Sequence, residues 1–161
     1  MYFQELHCLK DALSQLKTEL MPTLNAEMVV LNENAAILGD LELSEGLFSI
    51  FASKLKSETE AMNRLLSIIL IPLIEELIVN PESSPNIQSF GVLRTYHNRI
   101  REHFIEMREM CNQHIVTPDW SHQKRVSCLN VYNAEQAFIK YANFMETTMF
   151  SLLNPFTIQS K

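Results

Sequence analysis

The amino-acid sequence predicts an all-α protein: an antiparallel up-down four-helix bundle with an additional N-terminal helical segment, formed as a single domain over residues 1–161. Apolar residues recur at helical spacing along almost the whole chain, and no segment alternates apolar and polar residues as a half-buried strand would. Hydrophobic residues make up 47% of the sequence, enough for one full core. The 3 glycines are too few for a β architecture rich in tight turns.

The N-terminal part of the chain predicts two shorter helical segments. The first covers residues 3–20 and breaks or kinks at Pro22, because proline has no N–H to donate and clashes with the preceding turn. The second covers about 23–38 and ends at Gly39, a favoured C-terminal cap. The first segment carries an apolar stripe that predicts packing on the bundle or on a second subunit: Phe3, Leu6, Leu9 and Leu13.

The next helix is long. Ser44 is its expected N-cap, Val79 its expected end, and Pro72 should bend it. Its predicted core face is one apolar stripe: Phe48, Phe51, Leu55, Met62, Leu66, Ile69 and Leu73. The segment NPESSPN (80–86) is rich in proline, serine and asparagine, which predicts a loop.

Two further helices complete the predicted bundle. One covers about 87–114, and the other begins at Ser121, an expected N-cap, and ends near Leu153. Asn154 and Pro155 are expected to stop the last helix. Because the connections are short, consecutive helices must lie side by side, as they do in an up-down bundle.

Charge and composition argue against nucleic-acid and membrane partners. The formal net charge is −6, whereas affinity for phosphate backbones comes from clustered lysine and arginine. The stretch LLSIILIPLIEELIV is too short to span a bilayer and contains Glu75 and Glu76, so a core helix is expected. Basic and acidic side chains share the helix predicted over about 87–114, which predicts a solvated face: Arg94, Arg99, Arg101 and Arg108 with Glu102, Glu106 and Glu109.

The N-terminus and the cysteines predict a cytoplasmic protein. Glu5, His7 and Lys10 interrupt any early apolar run, so no signal peptide is expected. The 3 cysteines are far apart in the sequence and include no CxxC pair, which fits a reducing compartment better than a disulfide framework. Cys111 lies in an apolar stripe, so inert packing is expected rather than nucleophilic catalysis with His114 as base.

The stretch TYHNRIREHFIEMREMCNQH (95–114) raises the question of a metal site, because it holds three of the 5 histidines. His103 lies to the side of the helix, with Glu106 on a largely polar surface, and His114 lies at its far end. A lone histidine on an apolar face is more often a hydrogen-bonded core residue than a ligand. Only His97 falls within the apolar stripe of this helix: Phe90, Leu93, Ile100, Phe104, Met107 and Cys111.

The stretch YHNRIREHFIEMREMCNQHIVTPDW resembles the region around the third-helix histidine of the hemerythrin-like family, closest to the di-iron proteins linked to iron–sulfur cluster repair. FMETTMFSLL (144–153) resembles the family's final segment, and MNRLLSIILIPLIEEL (62–77) resembles its second-helix segment. In this resemblance His97 and Glu146 take metal-ligand positions. The resemblance covers roughly residues 45–153 and implies a hemerythrin-like helical bundle.

Most of the family's ligand positions hold other residues in this chain. The second-helix His-x-x-x-Glu pair corresponds to Met62 and Leu66, and the fourth-helix histidine corresponds to Ala142. One imidazole and one carboxylate cannot hold two irons, because several donors are needed to offset the desolvation of the cations. The replaced ligands therefore predict no cofactor, and we expect a buried ion pair between protonated His97 and Glu146 in place of the metal.

These observations favour a non-catalytic module that acts through a protein partner or through self-association. The alternative is an iron-binding hemerythrin-like protein involved in oxygen or nitric oxide sensing or in iron–sulfur cluster repair. A di-iron cofactor would then use His97 and Glu146 with help from Glu58 or His7. Glu58 lies between Leu55 and Met62 on the second-helix stripe, so its position relative to His97 separates the two hypotheses.

Overall fold

The computed structural model describes residues 3–35, 47–83 and 88–157. These residues form four long helices, α1 to α4, and no strand occurs among them. The all-α prediction is therefore confirmed. Gly39 and Ser44, the expected cap residues between the first two helices, lie outside the described residues.

The first long helix, α1, continues through Pro22, so the expected break there is wrong. A π-helical turn ends at Leu20, two residues before this proline, and the N–H of Met21 donates to the carbonyl of Leu16, five residues back. The wider turn accommodates a residue that cannot make the usual helical hydrogen bond. The N-terminal segment is thus part of α1 and not an additional element. The parts of α1 are Phe3–Gln15, the π-helical turn Leu16–Leu20, and Met21–Asn34.

The second long helix, α2, also contains a π-helical turn before a proline, Pro72. Its sequence LSIILIP corresponds to LKTELMP in α1, and the N–H of Ile71 donates to the carbonyl of Leu66. The π-helical turn adds one residue, which moves the core face from Ile69 to the buried Leu70 and leaves Ile69 42% exposed. The predicted stripe is therefore wrong beyond Leu66. The parts of α2 are Leu47–Leu65, the π-helical turn Leu66–Leu70, and Ile71–Val79.

The last two helices begin close to the predicted positions. The hydroxyl of Ser121 accepts a hydrogen bond of 3.1 Å from the N–H of Lys124, which confirms Ser121 as the N-cap of α4. The expected end near Leu153 is wrong, because α4 continues past Pro155. Helix α3 is Gln88–Met110, and α4 consists of His122–Asn143, the π-helical turn Phe144–Met149, and Phe150–Thr157.

All four helices contribute side chains to one hydrophobic core. Within α1, Leu9 and Leu13 are buried in this core and Leu6 packs against it, whereas Phe3 is exposed. The N-terminal stripe therefore packs mainly on this chain's own helices. Among the described residues, no helix is both long enough and apolar enough to cross a membrane.

A left-handed turn follows α3. Asn112, Gln113 and His114 have φ angles of 51°, 54° and 64°, a region that costs a residue with a side chain roughly 1–2 kcal/mol. The amide of Asn112 donates to the carbonyl of Ile115 at 3.1 Å and helps to hold this turn. Because Gln113 is exposed, little opposes replacing it with a residue that prefers this backbone conformation.

Gln113→Gly is expected to raise the free energy of unfolding by about 1 kcal/mol, because glycine adopts positive φ without steric cost. The melting temperature should rise by roughly 2–4 °C. Gln113→Ala is the matched control: it removes the same side chain and keeps the Cβ, so it should give no such gain. Equal melting temperatures for the two variants would show that the positive φ angle of Gln113 does not cost stability.

Candidate functional site

His97 lies in the middle of α3 with its side chain fully buried. Its neighbours on the helix face, Leu93 and Ile100, are also fully buried. His103 and His114 are only partly buried. The structure therefore confirms that His97 is the histidine of this helix that points into the core.

Two side chains of α4 hydrogen-bond to His97, one at each ring nitrogen. Nδ1 lies 3.3 Å from Oε1 of Glu146, and Nε2 lies 3.1 Å from the hydroxyl of Tyr141. A carboxylate only accepts, so Nδ1–H donates to Glu146 and the Tyr141 O–H donates to Nε2. This pattern assigns a single neutral tautomer to the imidazole and leaves neither nitrogen unpaired.

The charge at this site differs from the expected ion pair. Burial lowers the pKa of His97 from 6.5 to about 4, and the opposing effect of Glu146 is smaller. The imidazole is therefore neutral at pH 7. Arg101 supplies the positive charge instead, because its Nη2 lies 2.9 Å from Oε1 of Glu146. Burial raises the pKa of Glu146, but the hydrogen bond and charge of Arg101, together with the hydrogen bond from His97, outweigh it, so the net pKa is lowered.

Tyr141 is the residue of this network that the sequence reasoning missed. Its ring is fully buried and meets His97 edge to face, with centroids 5.2 Å apart. Burial, with a smaller contribution from Glu146, raises the pKa of Tyr141, so the hydroxyl stays protonated and can donate. Residues five apart fall on different faces of a regular α-helix. The π-helical turn Phe144–Met149 begins after Tyr141 and contains Glu146, and both residues contact His97.

The positions that correspond to the family's other ligands belong to the hydrophobic core. Met62, Leu66 and Ala142 are buried. Among the described residues, no three histidine, cysteine, aspartate or glutamate side chains are grouped so that they could hold a metal ion. Because the nitrogens of His97 are already paired, these residues do not fit a di-iron centre, which needs several histidine and carboxylate donors.

Neither auxiliary ligand candidate is directed at His97. The carboxylate of Glu58 faces Arg99, with Oε2 3.8 Å from Nη1 of the arginine. His7 is largely exposed in the first turns of α1 and lies 3.5 Å from Asp11. The ring of His103 packs beside Phe51, with centroids 6.5 Å apart.

A second polar contact joins α3 to α4. Nε and Nη2 of Arg108 lie 3.1 Å and 2.6 Å from the two carboxylate oxygens of Glu135, which is only 4% exposed. Arg101 and Arg108 thus pair with glutamates of α4, while each arginine side chain remains 36% exposed on the predicted solvated face. The available signal was Glu135 itself, a charged residue at core spacing between Val131 and Phe138.

The ring of His114 lies next to the Arg108–Glu135 pair. Its Nε2 is 3.8 Å from Oε1 of Glu135, and neither ring nitrogen has a hydrogen-bond partner. Burial lowers the pKa of His114, and the charge of Glu135 opposes the change. Tyr132 covers the ring edge to face, with centroids 5.3 Å apart.

The His97 network and the Arg108–Glu135 pair are therefore internal pairings between α3 and α4. His97 and Glu146, the residues expected at family ligand positions, do lie together, and Tyr141 and Arg101 complete their hydrogen bonds. No protein-family profile matches the chain, and no curated protein or solved structure is significantly similar to it.

Proposed function

We propose that this chain is a hemerythrin-like, antiparallel up-down four-helix bundle with a degenerate di-iron site, and that it acts as a non-catalytic module by binding a protein partner or a second copy of itself. The order of the contacts between helices supports the antiparallel arrangement. Lys17 contacts Glu75, whereas Asn25, further along α1, contacts Asn63, earlier in α2. Contacts between α3 and α4 reverse in the same way: Phe90 with Phe150, and then Arg108 with Glu135.

One observation carries the proposal that the metal site is degenerate: both nitrogens of His97 are hydrogen-bonded to protein side chains. A metal ligand needs a free lone pair on one nitrogen, and here Nε2 already accepts from Tyr141. The buried methionine, leucine and alanine at the other ligand positions fill space that donors would need. In this chain the network holds α3 and α4 together, and the interaction with a partner takes place on the outer surface.

The metal content of untagged protein, expressed with iron supplied, tests this proposal directly. Elemental mass spectrometry should find far less than one iron per chain, and the visible spectrum should lack oxo-bridge absorption. About two irons per chain with that absorption would overturn the degenerate site and favour the oxygen, nitric oxide or cluster-repair alternative.

Restoring the family's ligands tests the hemerythrin-like assignment independently. The variant Met62→His/Leu66→Glu/Ala142→His/Tyr141→Phe returns three donors and removes the hydroxyl bound to Nε2 of His97. This variant is expected to take up iron. The same variant with His97→Gln added is the control and should take up much less. A folded, helical variant that stays free of iron would contradict the assignment.

Light scattering over a range of concentrations tests self-association. A mass that rises from one chain to two would support binding of a second copy. A mass of one chain at every concentration would remove self-association and leave a different protein as the partner.

A further inference from the structure

Two of the three cysteines lie in the core where α3 ends and α4 begins. Cys111 follows the last residue of α3 and is fully buried, and Cys128 lies in α4 and is 4% exposed. Both carry free thiols. They are separated from the His97 network, and nothing in the proposed function uses them.

The contacts between α3 and α4 place the two cysteines at the same level. His97 contacts Tyr141, and Cys111 follows His97 by nearly as many residues as Cys128 precedes Tyr141. The order of contacts reverses between α3 and α4. A residue that follows His97 in α3 therefore lies opposite the residue that precedes Tyr141 in α4 by the same number of positions. Each thiol shifts the pKa of the other, which agrees with this placement.

The pKa values of the two thiols are shifted in opposite directions. The hydrogen bond from Cys111 lowers the pKa of Cys128, burial opposes this, and the nearby ammonium of Lys124 lowers it further. The same hydrogen bond, reinforced by burial, raises the pKa of Cys111. The thiolate is the nucleophilic form, so Cys128 is the sulfur that reacts first.

We propose that Cys111 and Cys128 form a reversible disulfide when the protein meets a hydroperoxide, and that this bond joins the end of α3 to α4. The Cys128 thiolate attacks a peroxide oxygen, the O–O bond breaks, and the leaving oxygen takes a proton to become water or an alcohol. This leaves a sulfenic acid on Cys128. The sulfur of Cys111 then attacks the sulfenic sulfur, the S–O bond breaks, and water leaves with the proton of Cys111. Together the two thiols lose two electrons, which the peroxide gains.

The bond would close a short loop around the α3–α4 connection. This loop contains the left-handed turn at Asn112–His114 and the N-cap Ser121. Cross-linking such a loop restricts the unfolded chain, so oxidation should stabilise the fold. An excess of a small thiol should break the bond by exchange and return the protein to its original stability.

The test uses the full chain with Cys8→Ser, which removes the exposed third thiol. After treatment with hydrogen peroxide under native conditions, mass spectrometry of non-reduced peptides should find a peptide containing Cys111 linked to one containing Cys128. The melting temperature should rise by roughly 5–10 °C, and dithiothreitol should reverse the rise. Cys111→Ser and Cys128→Ser, each in the same background, should show no rise.

Three results would overturn the proposal. The first is peroxide-treated, folded protein in which both thiols remain free to alkylation after denaturation. The second is a bond that forms only when denaturant is present during oxidation. The third is oxidation of Cys128 to sulfinic acid without linkage to Cys111. A linked peptide in folded protein with no change in melting temperature would support the bond and overturn its stabilising effect.

Discussion

Arg108→Met should lower the free energy of unfolding by about 2 kcal/mol, because it leaves the buried carboxylate of Glu135 without its partly exposed countercharge. The Glu135 side chain is only 5% exposed, and Arg108 bonds both of its oxygens. Removing one partner of a buried pair exposes the cost of burying the other. Urea unfolding at pH 7, followed by circular dichroism, measures the change.

A matched control comes from the same helix. Arg99→Met removes an arginine whose contact with Glu58 is longer, at 3.8 Å, and more exposed, so the cost should stay within about 0.5 kcal/mol. Replacing both partners, as Arg108→Met with Glu135→Leu, should recover much of the lost stability, because no unpaired charge remains. Equal losses for Arg108→Met and Arg99→Met would show that burial of Glu135 does not set the cost.

Acidification is expected to remove about 3 kcal/mol of stability between pH 6.5 and pH 4, because His97 must stay neutral in the fold. The unfolded chain protonates this histidine near pH 6.5, whereas burial lowers its pKa to about 4 in the folded protein. The unfolded state therefore binds the proton first as the pH falls, and stability declines through that window. The lowered pKa of Glu146 adds a further loss as this carboxylate becomes protonated at lower pH.

Urea unfolding at several pH values from 7 to 4 tests this expectation. His97→Gln keeps a donor and an acceptor for Glu146 and Tyr141, so it should be less stable at pH 7 but should show a flatter dependence on pH. His122→Gln changes an exposed histidine and should preserve the dependence of the unchanged protein. Stability that is constant from pH 7 to pH 5 would contradict a buried neutral imidazole.

The sequence was a good guide wherever the helices keep regular α-helical spacing. The stripe around His97 lies in a regular part of α3, and its burial was predicted correctly. Ser121 was also predicted correctly, since an N-cap depends only on local chemistry. The position of Glu146 came from the resemblance, and its contact with His97 followed from the expectation that two buried polar groups pair.

The failures have two physical causes. At Ile69 and Tyr141, π-helical turns change which side chains share a face, and an analysis based on the α-helical repeat cannot detect them. The partners of Arg101 and Arg108 were not predicted, because the sequence placed both residues only on a solvated face of mixed charge. The glutamates they contact lie on α4, and spacing along one helix gives no information about a partner on another.

Each of the π-helical turns before Pro22 and Pro72 inserts one extra residue into the α-helical repeat. On either side of each turn the apolar pattern is intact, but the two halves are out of phase. An ungapped alignment that matches core residues in the first half of α1 or α2 must therefore set core against surface in the second half. An alignment of this chain with a bundle that lacks these turns needs a one-residue gap inside a continuous helix. Alignment methods disfavour gaps at such positions.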